Sequence, residues 1–233
     1  MVADPLISVL VPAYNEVRTI EGVVRRVAEL SYRLEIVVVD DGSVDGTSDV
    51  LERLRDELPA LRVERQANAG KGAAVRRAIS VSQGDFVVIQ DADLEYDPAD
   101  IPTLLGPLLD GRADAVYGTR LRGGMPQRAH LFWHYAGNRF LSLLTNVMFN
   151  TTISDMEVGY KAFRGDLVRS IELVSDDFRF EPEITAKILR RGARLYEVPI
   201  SYYGRTYAEG KKITWRDGLL AVGALVRFRV SGR

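Results

Sequence analysis

The 233 residues contain no cysteine and only two histidines, His130 and His134. That excludes a disulfide framework, thiolate metal sites and cysteine nucleophiles, and leaves little material for imidazole-based schemes. There is no excess of one charge: 31 basic and 32 acidic side chains leave a net −1, which gives no case for a nucleic-acid partner. Long apolar runs are missing too. Residues 218–226, the longest near the end, fall far short of the roughly 20 that a spanning helix needs. The opening Met-Val-Ala-Asp-Pro has Asp4 and no basic stretch, unlike a secretory signal. What remains, 46% apolar and 27% charged residues, is the balance of a globular chain with a large core. The expectation is a cytoplasmic protein, with any membrane contact peripheral.

Through the first half, short β-branched runs alternate with helix-period stretches, which predicts a parallel sheet with crossover helices. Strands are expected at 6–11, 34–39, 61–65, 85–89 and 113–117. Ile20, Val23, Val24 and Val27 follow helical spacing, with Asn15 as the expected cap. The second half is less regular. It has a long amphipathic pattern over 132–148, broken at Asn138-Arg139, then strands near 160–164 and 195–200 around a helix at 184–189. Residues 202–213 lack periodicity and read as a surface or site loop. Charge is segregated: residues 201–233 hold seven basic groups against two acidic ones.

In open α/β sheets, ligands bind beyond the carboxyl ends of the strands, and three polar clusters fall there. Asp91-Ala92-Asp93 follows the strand ending at Ile89. Carboxylates spaced i, i+2 can both be turned toward a hard cation such as Mg²⁺ or Mn²⁺, with Glu95 or water completing the set and substrate phosphates bridging. The bland reading is an acidic turn that caps a helix. Asp40-Asp41-Gly42-Ser43 reads as a turn with a cap at Asp45 or Thr47, yet leaves two carboxylates for the donors of a base or ribose. Asn68-Ala69-Gly70-Lys71-Gly72 opens a helix, where free N–H groups and a lysine favour an anion; alone it reads as a flexible loop. The first turn, Pro12-Ala13-Tyr14-Asn15-Glu16, has no glycine, so the dinucleotide fingerprint is absent.

Taken in order, Pro12–Glu16, Asp40–Thr47, Asn68–Gly72, Gln90–Glu95 and Gly118-Thr119-Arg120 resemble the inverting nucleotide-sugar glycosyltransferases of family 2, and within them the polyprenyl-phosphate sugar synthases. The resemblance runs from Ile7 to about Phe228. It implies a GT-A (Rossmann-like) α/β fold, a mostly parallel central sheet with helices on both faces, in one domain over 1–233. Residues 1–120 would be the nucleotide-sugar half and 121–233 the acceptor half. It further implies a nucleotide-sugar pocket of Pro12, Tyr14, Glu16, Asp40, Asp41, Lys71, Asp91, Ala92 and Asp93. A Mg²⁺ or Mn²⁺ site would use Asp91, Asp93 and Glu95. Acceptor-phosphate contacts would come from Arg120, His134, Asn138, Arg205 and Lys211. Asp91, Asp93, Asp155 and Arg120 would carry the reaction, although Asp155 read without the family is equally a loop cap.

Two departures matter. Many members of the group have C-terminal transmembrane helices, absent from these residues, so the likeness is to a soluble catalytic domain or to part of a longer chain. His134 and Asn138 stand where some mannose synthases have Arg and Ser, which weakens a mannose assignment. The expected partners are a nucleotide diphosphate sugar and a polyprenyl phosphate, with peripheral contact to a membrane or a membrane partner. Three other readings compete: transfer to a saccharide hydroxyl, a sugar nucleotidyltransferase and a silent binding module. The nucleotidyltransferase lacks its usual Gly-rich, basic first loop here, and the intact acidic motifs argue against the silent module.

Overall fold

The computed structural model describes residues 4–121, 132–205 and 215–230. Leu6–Ala13 forms β1, whose Ile7, Val9, Leu10 and Val11 are all fully buried. Burial on both faces is what a near-continuous apolar run dictates in a parallel sheet. The chain then alternates through α1 (Ile20–Ala28), β2 (Arg33–Asp40), α2 (Thr47–Glu57), β3 (Leu61–Arg65), α3 (Lys71–Val81) and β4 (Phe86–Ile89). After a 3₁₀ turn at Pro98–Asp100 come α4 (Ile101–Leu109), β5 (Ala115–Thr119) and α5 (Phe132–Phe149). β6 (Lys161–Arg164), α6 (Gly165–Arg169), α7 (Phe180–Arg190), β7 (Leu195–Pro199) and α8 (Trp215–Val230) follow.

Among the described residues one seven-stranded sheet has the order β3-β2-β1-β4-β6-β5-β7. All neighbours are parallel except β6, which runs antiparallel to both β4 and β5. α1 and α2 carry the chain outward from β1 to β3, and α3 returns it past β1 to β4. With right-handed crossovers, that reversal places α3 on the opposite face from α1 and α2. It also makes the β1/β4 boundary the switch point, where a crevice opens at the carboxyl ends. One buried apolar cluster runs from Ile7 to Tyr202 across the sheet, and a smaller one joins Leu141, Ile153, Met156, Ala221 and Leu225 beneath α5 and α8.

Two local expectations differ from what forms, and a third is met without its direction having been foreseen. Asn15 does not cap α1, which begins at Ile20 after Thr19. It takes a left-handed φ of 54°, donates its N–H to Ser43 Oγ at 2.9 Å, and accepts from Val44 N through Oδ1. The loops after β1 and β2 are thereby sewn together. The break at Asn138-Arg139 does not occur either: α5 is continuous because Asn138 faces inward and Arg139 outward. The segment near 160–164 is a strand, but its antiparallel sense was not legible from periodicity.

Candidate active site

Each strand end at the switch point is fixed by its own turn. Thr47 anchors the start of α2: its N–H and hydroxyl donate to Asp45 Oδ1, and its oxygen accepts from Glu16 N at 2.9 Å. Asp40 is almost fully buried and accepts from Ser43 N at 2.9 Å and from Ser48 Oγ. Asp41 accepts from Gln66 Nε2, Ala69 N and Gly70 N at 2.7–2.9 Å. Both carboxylates therefore brace turns of this chain, and Asp41 sets the loop that aims Lys71. Gly70 is required in that loop, since it has φ of 102° and a Cβ there would come within 2.5 Å of Asp176 O.

From α3, Lys71 Nζ lies 2.8 Å from Asp91 Oδ1 and 3.5 Å from Glu181 Oε1. Burial opposes its charge, but Asp91 and Glu181 outweigh burial and hold the ammonium above its usual range. Gly159 backs this pair, because a Cβ there would sit 2.5 Å from Asp91 Oδ2. Across the crevice, Arg205 Nη2 donates to Asp93 Oδ2 at 2.5 Å, its guanidinium is 3.4 Å from Glu16 Oε2, and its backbone N–H donates to Glu95 Oε1 at 2.8 Å. Burial, with Asp91 and Glu95 nearby, pushes Asp93 up to about 7.

The acceptor-side residues form a second group. Asp155 is fully buried on the loop before β6 and accepts from Arg120 N, Nε and Nη2 at 2.7–3.0 Å and from Asn138 Nδ2 at 2.6 Å. Burial alone would raise its pKa, but Arg120 and these bonds hold it below the usual carboxylate value. Tyr202 joins the two groups. Its hydroxyl donates to Glu95 Oε2 at 2.9 Å, and its ring lies 4.9 Å beneath the Arg120 guanidinium.

Pro12, Tyr14 and Ala92 line the same strand ends, with Tyr14 exposed and Ala92 buried. His134 is half-buried on α5, one turn before Asn138. Lys211 lies outside the described residues. Asp91 and Asp93 have the donor chemistry of a hard-cation site, and burial is the main reason that the Asp93 carboxylate is raised. Among the described residues no three acidic or histidine side chains converge to hold a metal alone. Both Glu95 oxygens are engaged by residues 202–205. Asp91 and Asp93 also have partners, Lys71 on both Asp91 oxygens and Arg205 on Asp93 Oδ2, so the donor set fits a two-carboxylate site in which a bound cation would take the place of these basic groups.

Four contributors were given no individual role from the sequence. Glu197 of β7 accepts from Ser154 N and Oγ and from Asp155 N, fixing the acceptor loop. Lys161 is fully buried on β6 and donates to Glu181, Val158 O and Met156 O. Glu157 keeps one buried oxygen without a hydrogen-bond partner, and burial beside Glu181 pushes it up to about 7. Lys161 and Glu197 showed only as charges beside apolar residues, Glu157 lies two residues after Asp155, and Tyr202 opens the stretch read as a surface or site loop. Glu157 has a folded pKa above the ordinary 4.5, so its stabilisation is present below 4.5 and is lost as pH rises through 7. Glu157→Gln should be more stable than wild type at pH 8, by up to about 3 kcal/mol, and no more stable at pH 4, as read by thermal unfolding. Equal stability at both values would contradict the burial of that carboxylate.

A mostly parallel sheet with acidic strand-end turns at its switch point, facing a buried Arg–Asp pair, is the architecture of a GT-A glycosyltransferase. The chain belongs to glycosyl transferase family 2, whose model matches residues 8–171. It is 31% identical over 215 residues to an undecaprenyl-phosphate mannosyltransferase of Micrococcus luteus, covering 87% of this chain and 85% of that one. It is also 31% identical over 200 residues to glycosyltransferase AglJ of Haloferax volcanii, covering 85% of this chain but only 63% of that protein's length. Glucosyl-3-phosphoglycerate synthase of Mycobacterium tuberculosis, solved with Mn²⁺, UDP and phosphoglyceric acid, superposes with a TM-score of 0.74 at 22% identity, over 97% of this chain and 79% of that one. That likeness shows the fold.

Proposed function

We propose that this enzyme moves a hexose from a UDP- or GDP-linked donor to a polyprenyl phosphate, with inversion. The observation that carries the choice of acceptor is the state of Asp155. Its oxygens are occupied by Arg120 and Asn138, and its pKa is lowered, so it is a poor base for a hydroxyl acceptor. A phosphate acceptor is already anionic and needs a fixed guanidinium instead, which Arg120 supplies. The polyprenyl-phosphate substrate in the name of the Micrococcus relative supports the same class.

On the donor side, Asp91 and Asp93 would hold Mn²⁺ or Mg²⁺, which when bound neutralises charge on the departing nucleoside diphosphate. Lys71, locked between Asp91 and Glu181, keeps Asp91 oriented. Arg205 bridges Glu16 and Asp93 and supplies a planar fork at the mouth of the diphosphate site.

Arg120→Lys tests the assignment, because lysine keeps the charge but loses the bidentate geometry. The KM for prenyl phosphate should rise about 10–100-fold, the scale of a charge-assisted hydrogen-bond pair, with the donor KM nearly unchanged. A rise confined to the donor KM would move Arg120 to the nucleotide site and overturn the reading.

A further inference from the structure

The two sides of α5 have different jobs. Leu141, Ser142 and Thr145 are buried, and Asn138 reaches Asp155 on that side. On the other side Trp133, Phe140, Leu143 and Val147, spaced by seven, three and four residues and so on one helix face, are 82%, 59%, 61% and 75% exposed. A helix resting on a core is normally polar on its far face. Here Arg139 is the sole charged residue between Phe132 and Phe149.

α8 runs alongside in the same direction. Ala221 and Leu225 share a buried cluster with Leu141, and farther on Arg229 Nε donates to Met148 O at 2.8 Å and covers the Phe149 ring. The inward residues Ala224, Leu225 and Phe228 pack on the protein, as a C-terminal helix on a core should. Leu219, Leu220, Val226 and Val230 nevertheless remain exposed beside Arg227. Two neighbouring helices thus each leave an apolar stripe in water, and clustered exposure of this kind marks an interaction surface.

We infer that this α5–α8 face seats the enzyme on a bilayer that contains anionic lipid. Charge selects the occupant. Arg139, Arg227 and Arg229 flank the stripes, α5 has no carboxylate, and α8 has one, Asp217 in its first turn next to Arg216. Anionic headgroups complement that rim, whereas a second copy of the same face would set arginine against arginine. Phe132, Trp133 and Tyr135 gather at one end of α5, and such rings favour the headgroup boundary. Among the described residues no helix is long and apolar enough to cross a membrane, so the contact is in-plane. The inference rests on the polyprenyl-phosphate reading for its purpose. The helix that meets lipid on one side carries Asn138 to Asp155 on the other, about one helix diameter of 10 Å away.

The test uses the 233-residue chain and phosphatidylcholine vesicles with or without phosphatidylglycerol. Trp215→Phe leaves Trp133 as the sole tryptophan. Co-sedimentation should favour the anionic vesicles and weaken with salt, with Trp133 emission shifted to the blue and shielded from a soluble quencher. The triple variant Phe140→Ser, Leu143→Ser, Val147→Ser should bind at least about tenfold more weakly, as loss of three inserted apolar side chains requires, at an unchanged melting temperature. Arg139→Glu with Arg227→Glu should remove the anionic preference. Absence of vesicle binding, binding that leaves Trp133 open to quencher, or a solution dimer that the triple variant splits would each overturn the inference. A short, water-soluble prenyl phosphate separates the two readings. Transfer to it without vesicle binding defeats the docking face alone, and vesicle binding without transfer to it defeats the substrate reading alone.

Discussion

Lys161→Ala should destabilise the protein by about 3–5 kcal/mol, because it strands Glu181 in the interior with one partner fewer. Lys161 is fully buried, its ammonium donates to Glu181 and to two carbonyls, and it lies 4.6 Å from the centre of the Tyr117 ring. Burial drives its pKa down even with Glu181 beside it. Glu181 also faces Lys71, so the loss should reach the site and loosen Asp91. Replacing both charges, Lys161→Met with Glu181→Leu, should recover much of the stability while still impairing transfer, since Lys71 keeps only Asp91. Denaturant unfolding of both variants checks this. A cost below about 1 kcal/mol for Lys161→Ala would mean water reaches the pair, and the burial of the Lys161–Glu181 pair would be wrong.

Asp91→Asn should lower transfer about 10²–10³-fold, the scale of one lost electrostatic contact to the developing charge. The substitution keeps the side chain's shape beside Gly159, so the fold should survive. Chelation of divalent cations should abolish wild-type transfer, and Mn²⁺ should restore it. Chelator-resistant transfer would remove the metal from the account and leave Asp91 as the partner of Lys71.

Most of the sheet was legible because apolar runs such as Leu6–Ala13 and the Ile36–Val39 stretch of β2 have no alternative use once helical periods separate them. The antiparallel β6 was not, since strand direction leaves no trace in a four-residue strand. At the site, paired carboxylates at strand ends stood out from their turns. Their partners did not. The bonds of Asp41 to the 66–70 loop, the hold of Glu197 on Ser154 and the bridging ring of Tyr202 all join residues 25 or more apart in sequence. Spacing cannot report such contacts. Lys161 sat inside a predicted strand and Glu181 just ahead of a predicted helix, where a charge looked like a surface position until the fold placed both in the core.

The central claim is the acceptor, and the product decides it. The enzyme should be given UDP- and GDP-hexoses in turn, with Mn²⁺ and a mixture of a short prenyl phosphate and free oligosaccharides, and the products read by mass spectrometry and anomeric NMR. The account predicts a hexosyl prenyl phosphate of inverted configuration, with release of the nucleoside diphosphate. A hexose joined to a saccharide hydroxyl with the prenyl phosphate unconsumed, or release of pyrophosphate, would contradict it.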